Sequence, residues 1–155
     1  MLPKKEYGSG STCHRRFQEW TVSKVFHRLW IRLLKVYDDL RGISWIWQSL
    51  DSVSIKAPLG GTWQVQIQLI DRGKRGTKRH LLTDKNGIPL SVVITAANTH
   101  DMKAAITTID RIVVKRLSSK KILQNLCLDK GYDFLEIEHE AVKRSYVPHI
   151  RHRGE

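Results

Sequence analysis

The spacing of apolar residues changes period along this chain. Between residues 11 and 40 it is helical. Phe26, Leu29, Trp30, Leu33, Leu34 and Tyr37 recur at three- and four-residue steps, which puts them on one face of an amphipathic helix. Arg28, Arg32 and Lys35 fall off that stripe. A shorter helix carrying Phe17 and Trp20 precedes it. Ser11 or Thr12 is placed to cap this first helix, Thr21-Val22-Ser23 to break it, and Ser23 to cap the second. Two short helices and a tight turn fit a helix-turn-helix fragment with His14, Arg15 and Arg16 near DNA. An ordinary helical hairpin with a solvated basic face is the slightly preferred reading.

After Gly42 the pattern turns strand-like. Residues 43–56 are rich in aromatic and β-branched side chains, and Ala57-Pro58-Leu59-Gly60-Gly61 closes the run. Residues 77–83 and Pro89–Ala96 flank Asp84-Lys85-Asn86-Gly87, whose Asn-Gly pair predicts a hairpin with a type I′ turn. Asn98, Thr99 or Asp101 can cap a helix bearing Met102, Ala105, Ile106, Ile109, Ile112 and Val113 on one side, ended by Ser118-Ser119. Residues 122–128 form a short, nearly all-apolar run suited to a buried central strand. A helix over 134–144 and a strand over 146–150 follow. A hairpin and then a strand–helix–strand crossover predict an α/β domain with a mixed sheet.

Composition adds a partner. With 41% hydrophobic residues in 155, the chain can pack one domain and a small appendage. Its formal charge is +12. Such an excess favours a polyanion, because each phosphate neutralised releases condensed counterion. No apolar run approaches the roughly 20 residues needed to span a bilayer. Met1-Leu2-Pro3-Lys4-Lys5-Glu6 lacks the apolar core of a secretory signal. Cys13 and Cys127 have no paired ligand spacing, which argues against a disulfide scaffold or a zinc site. These features predict a cytoplasmic protein with no membrane partner.

Two aspartates then stand out. Asp51 sits inside an apolar strand run beside Leu50 and Val53, where an unpaired carboxylate is costly to bury. Asp129 ends the buried run and precedes Lys130-Gly131, and strand carboxyl ends are where α/β sheets place functional groups. Together they could hold divalent metal for phosphoryl chemistry. Taken singly, Asp51 could be a solvated edge-strand residue and Asp129 a turn residue. His100-Asp101 is a weaker neighbour of such a site. Asp84 and Asp133 are explained by a turn and a helix cap. Between the two aspartates, Arg72, Lys74, Arg75, Lys78 and Arg79 are interleaved with glycines that let backbone approach a phosphate. A solvated basic loop is the plainer reading. Trp45, Trp47 and Trp63 could stack on bases, but core packing is the commoner fate of tryptophan.

Several of these blocks, in order, resemble one family. Leu50-Asp51-Ser52 through Lys56-Ala57-Pro58-Leu59-Gly60-Gly61 resembles the first acidic motif of DDE transposases from bacterial insertion sequences. Asp71-Arg72-Gly73-Lys74-Arg75-Gly76-Thr77-Lys78-Arg79-His80, then Gly87-Ile88-Pro89-Leu90 and Asn98-Thr99-His100-Asp101, is similar to the block that follows. Asp129-Lys130-Gly131-Tyr132-Asp133 resembles the second acidic motif, and residues 11–17 with Trp20 the helical region ahead of the catalytic domain. The resemblance implies a helical segment over 1–42 and a ribonuclease-H-like catalytic domain over 43–155, a mixed sheet with flanking helices. It implies that Asp51 and Asp129 are two of three acids that bind Mg²⁺. It also implies DNA, as element ends and target, as the partner for magnesium-dependent cleavage and strand transfer.

The family's third acid is a glutamate on a helix beyond the last strand. The sequence ends before such a helix, and Glu155 has no helical turn to place it. The expectation is therefore a fold lacking its C-terminal part, inactive alone, with a homo-oligomer or a complementing transposase fragment as further partners. A catalytically dead DNA-binding remnant and a ribonuclease-H-type nuclease are the alternative readings. Where relatives carry a Gly-, Asn- and Pro-containing loop before Asp71-Arg72-Gly73, this chain has Trp63-Gln64-Val65-Gln66-Ile67-Gln68-Leu69-Ile70. Codons for that stretch, read two bases on, can spell Ala-Gly-Ala-Asn-Pro-Thr-Asp-Arg. This suggests a local compensated frameshift.

Overall fold

Alternation along the strands decides the architecture. The structure is a computed structural model that describes residues 4–56, 76–118 and 120–152, with backbone only at 4, 5 and 56. The expected closing turn over 57–61, the segment 63–70 and Glu155 lie outside the described residues. The chain divides into two compact units, Met1–Gly42 and Ile43–Glu155.

The first unit is helical: α1 (Lys4–Tyr7), α2 (Gly10–Val22) and α3 (Val25–Arg41). The break expected at residues 21–23 falls at Ser23 and Lys24, but the caps differ from expectation. Ser9, not Ser11 or Thr12, caps α2, and its side chain accepts from the Thr12 amide at 3.2 Å. Ser23 terminates α2, and Lys24, at φ 55°, precedes α3 with no side-chain cap. The helices meet through Phe26, whose ring lies 5.5 Å from Phe17 and 6.1 Å from Trp20.

The second unit is built on one sheet. Its strands are β1 (Trp47–Lys56), β2 (Gly76–Asp84), β3 (Pro89–Ala96), β4 (Asn125–Leu128) and β5 (Val147–Ile150), in the order β3-β2-β1-β4-β5. β1 pairs antiparallel with β2, and β2 with β3. β4 runs parallel to β1, and β5 parallel to β4. The helices α4 (Asp101–Asp110) and α5 (Leu135–Lys143) make the connections into β4 and β5. This is the mixed α/β sheet expected of a ribonuclease-H-like domain.

One face of the sheet is the core. Gln48, Leu50, His80, Leu82, Ser91, Val93, Leu126 and Leu128 alternate onto it and are buried. α4 packs against β2 and β3 there, and α5 against α4 and β5. Ala104, Ala105, Thr108 and Ile109 of α4 are buried, and the Ser91 hydroxyl donates to the Thr108 carbonyl at 2.5 Å. On the other face Val53, Ile55 and Ile94 remain exposed, as does Arg79. Burial of small residues on α4 lets helix and sheet approach closely. The expected stripe through Ile112 and Val113 is cut short, because α4 ends at Asp110.

Two local corrections have physical causes. The β2–β3 turn is not type I′, which needs positive φ at both central residues. Only Gly87 has positive φ (79°), and its amide donates to the Asp84 carbonyl at 3.0 Å. That is a type I turn followed by a left-handed glycine. Asp84 organises it from within. Its buried carboxylate accepts from the amides of Asn86 (2.8 Å) and Ile88 (2.9 Å) through Oδ1, and from Ser44 (3.0 Å) through Oδ2. β4 is also shorter than its apolar run, since Gln124 leaves the strand to join a buried polar network. Gln124 Oε1 accepts from Gln48 Nε2 (3.3 Å) and Arg116 Nε (2.5 Å), and Tyr146 Oη donates to Gln48 Oε1 at 2.7 Å. The Arg116 guanidinium lies 3.6 Å from the Tyr146 ring centroid. Burial pushes the Tyr146 phenol up to about 12 despite the neighbouring cation.

Candidate metal and DNA site

Parallel pairing of β1 with β4 brings the two aspartates together. Leu50 and Leu128 are the last matched residues, and Asp51 and Asp129 come next on their strands. Adjacent strands run about 4.8 Å apart, so the two residues begin as neighbours at the carboxyl edge of β4. Both are exposed. Each is oriented by a nearby amide: Ser52 N donates to Asp51 Oδ1 at 2.7 Å, and Gly131 N to Asp129 Oδ1 at 2.8 Å. The second contact comes from a 3₁₀ turn, Lys130–Tyr132, that Asp129 caps.

A third carboxylate approaches from α4. His100 occupies the cap position, and Asp101, one of three expected caps and a weaker expected neighbour of the site, is the first helical residue. Its Oδ1 accepts from Ser52 Oγ at 2.7 Å and from Lys78 Nζ at 3.1 Å. Its Oδ2 lies near Gly131. A Cβ built on Gly131 would meet Asp129 Oδ1 at 2.9 Å and Asp101 Oδ2 at 3.1 Å, so a side chain there would push on both carboxylates. Burial works against the Asp101 charge, yet the hydrogen bonds from Ser52 and Lys78 and the Lys78 charge hold its pKa below the ordinary carboxylate range.

The floor of the site is buried. His80 has no exposed surface; its Nε2 shares a hydrogen bond with Thr95 Oγ1 at 2.9 Å, and its Nδ1 stands 3.8 Å from Asp101 Oδ1. Burial lowers its pKa, Asp101 partly restores it, and Lys78 lowers it further. Tyr132 is also fully buried, and Ser52 Oγ, committed to Asp101, lies beside the phenol without completing a hydrogen bond to it. Burial raises the Tyr132 pKa, and the charges of Asp101, Asp129 and Asp51 act in the same direction. One phenol thus senses all three carboxylates.

The basic residues divide. Arg72, Lys74 and Arg75 lie outside the described residues. Lys78 and Arg79 are neighbours on β2, so strand alternation sends them to opposite faces. Arg79 is exposed. Lys78 turns inward, donating to the Thr99 carbonyl at 3.0 Å as well as to Asp101, and so braces the site. Of the tryptophans, Trp45 is buried, while Trp47 is half-exposed with its ring 4.9 Å from that of His149. Trp63 lies outside the described residues.

Asp133 does not cap α5 as expected. Its Oδ1 meets His152 Nδ1 at 2.8 Å, and His152 Nε2 lies 3.9 Å from Glu138 Oε1. These three side chains form a compact group, with ligand atoms within 4.8 Å of one another. Asp51, Asp129 and Asp101 are less tightly drawn together. Carboxylate oxygens at strand ends nevertheless suit a hard divalent cation, which takes oxygen ligands and keeps some of its water. Asp51 and Asp129 are the residues placed to hold one. Asp101 has an oxygen already engaged by Ser52 and Lys78. The sequence marks it only as a weaker neighbour of the site; its partners are 49 and 23 residues away and leave no local pattern.

Among the described residues no helix is long and apolar enough to cross a membrane. The Transposase DDE domain family matches residues 48–155, from the start of β1 through both aspartates. A transposase assigned to the insertion sequence element IS402 of Burkholderia cepacia is 38% identical over 66 residues. That alignment covers 41% of this chain and 31% of the relative, so the matched part is about a third of the relative's length. The mixed sheet, the aspartates at adjoining strand ends and the family match over most of the chain agree: the chain belongs to the DDE transposase family of insertion sequences.

Proposed function

We propose that Asp51 and Asp129 hold magnesium and that the domain serves DNA cleavage and strand transfer at the ends of its own element. The family generally works with a divalent metal, and its reaction is transposition. The observation that carries the residue assignment is the β1–β4 register, which sets the two aspartates side by side. When bound, such ions activate the attacking oxygen and stabilise the leaving oxygen of an in-line phosphoryl transfer. The chain's own groups do the holding. The amides of Ser52 and Gly131 each occupy one carboxylate oxygen and fix its orientation, leaving the other for the cation. Arg79 and the segment bearing Arg72, Lys74 and Arg75 supply positive charge for the phosphate backbone. Lys78, engaged by Asp101 and Thr99, is not among these contacts.

The test is binding to DNA that carries the inverted repeats flanking the gene, against a scrambled duplex, with and without Mg²⁺. Mg²⁺ should tighten binding to the repeat DNA, and Asp51→Asn or Asp129→Asn should remove that effect while leaving the cation-independent part. Equal binding to both duplexes, or an Mg²⁺ effect that survives both substitutions, would overturn the proposal.

A further inference from the structure

The geometry points to Asp101 as a positioning residue for the candidate metal site, acting through Ser52 on one side and Gly131 on the other. This rests on the reading of Asp51 and Asp129 as metal ligands. Asp101 belongs to neither acidic motif, yet it lies between the supports of both. Ser52, whose amide orients Asp51, gives its hydroxyl to Asp101 Oδ1 at 2.7 Å. Gly131, whose amide orients Asp129, has Asp101 Oδ2 against the side where a Cβ would stand. Lys78 holds Asp101 from β2 at 3.1 Å, with both side chains largely buried.

One carboxylate from α4 is therefore bonded to the β1 position after Asp51 and to β2, and stands against the turn after Asp129. A surface ion pair has no such connectivity. Asp101 is better placed to orient than to ligate, because its Oδ1 is already shared by a hydroxyl and an ammonium. Partners that orient metal ligands typically contribute 10–100-fold to metal affinity. Losing the Ser52–Asp101 bond removes the side-chain link between β1 beside Asp51 and the start of α4.

The probe is Mn²⁺, whose binding to the purified chain can be counted by electron paramagnetic resonance. Asp101→Asn and Ser52→Ala should each weaken Mn²⁺ binding by about 10–100-fold with the circular dichroism spectrum unchanged. Ser52→Thr, which keeps the hydroxyl, should restore affinity. If Asp101→Asn fails to fold, the Ser52 pair decides alone. Unchanged Mn²⁺ affinity in Ser52→Ala, while Asp51→Asn and Asp129→Asn lose binding, would overturn the bridge and leave the metal site standing. Loss confined to Asp101→Asn would assign the effect to charge alone and overturn it equally. Mn²⁺ binding that survives Asp51→Asn and Asp129→Asn would remove the metal site and this inference together.

Discussion

His80 shows how a single residue can carry both stability and site geometry. It is fully buried between Thr95 and the Asp101–Lys78 pair, and burial holds its pKa below 6.5. The unfolded chain takes up a proton near 6.5, while the folded one resists. The stabilisation is therefore complete above pH 6.5 and is lost as pH falls below it, until the folded pKa is passed. Urea unfolding at pH 7.5 and 5.5 should show lower stability at the acidic value, with a smaller drop in His80→Asn. An equal drop in the variant would contradict this. Asp101, whose folded pKa is depressed, acts in the same sense further down. Its contribution is present above 3.8 and is lost as pH falls from there through the folded value. At this scale the sequence is only partly legible. Asp51 and Asp129 can be picked out because each interrupts or ends an apolar run, and Asp101 only weakly, as a neighbour of the site. The bracing contacts of Asp101, His80 and Lys78 are not legible, since they span 15 to 49 residues of chain.

At the scale of elements, periodicity served well wherever one face of an element is buried and the other is not. β3 runs over Pro89–Ala96, the partner strand expected across the Asn-Gly turn, and α5 falls within one residue of expectation at each end. Ends were harder to read, because a cap depends on which of several equivalent hydroxyls the backbone reaches. Ser9 wins over Ser11 and Thr12 for that reason. Polar residues in the core were invisible to an apolar pattern. Gln48 and Gln124 are fully buried and are satisfied by each other, Arg116 and Tyr146. Tyr146→Phe would leave Gln48 Oε1 without its donor. Stranding a buried acceptor costs about 1–3 kcal/mol, which should appear as a lower urea midpoint with an unchanged denaturant slope. A midpoint equal to that of the parent chain would show that water or another donor takes the place of the phenol.

For the whole molecule, the +12 charge is the property with the widest consequence. If the basic segment contacts DNA, log affinity should fall with log salt by about 0.9 per phosphate neutralised. Arg72→Ala, Lys74→Ala and Arg75→Ala together should flatten that slope, and Arg79→Ala should add to the effect. Lys78→Met should leave the slope unchanged, because its charge is balanced by Asp101 inside the domain. A slope unaffected by the triple substitution would move the DNA contact elsewhere, most simply to the helical unit, where Arg15 and Arg16 share Glu19.

The central claim is that Asp51 and Asp129 hold one metal site between adjacent strands, and iron-directed cleavage of the polypeptide tests it most directly. Fe²⁺ substituted for Mg²⁺, with ascorbate and peroxide, cuts the backbone beside the bound ion. Two cuts are predicted, one near Asp51 and one near Asp129. Excess Mg²⁺ should suppress both, and Asp51→Asn or Asp129→Asn should abolish both. Cleavage confined to the neighbourhood of Asp133, Glu138 and His152, or unaffected by the two substitutions, would contradict the account.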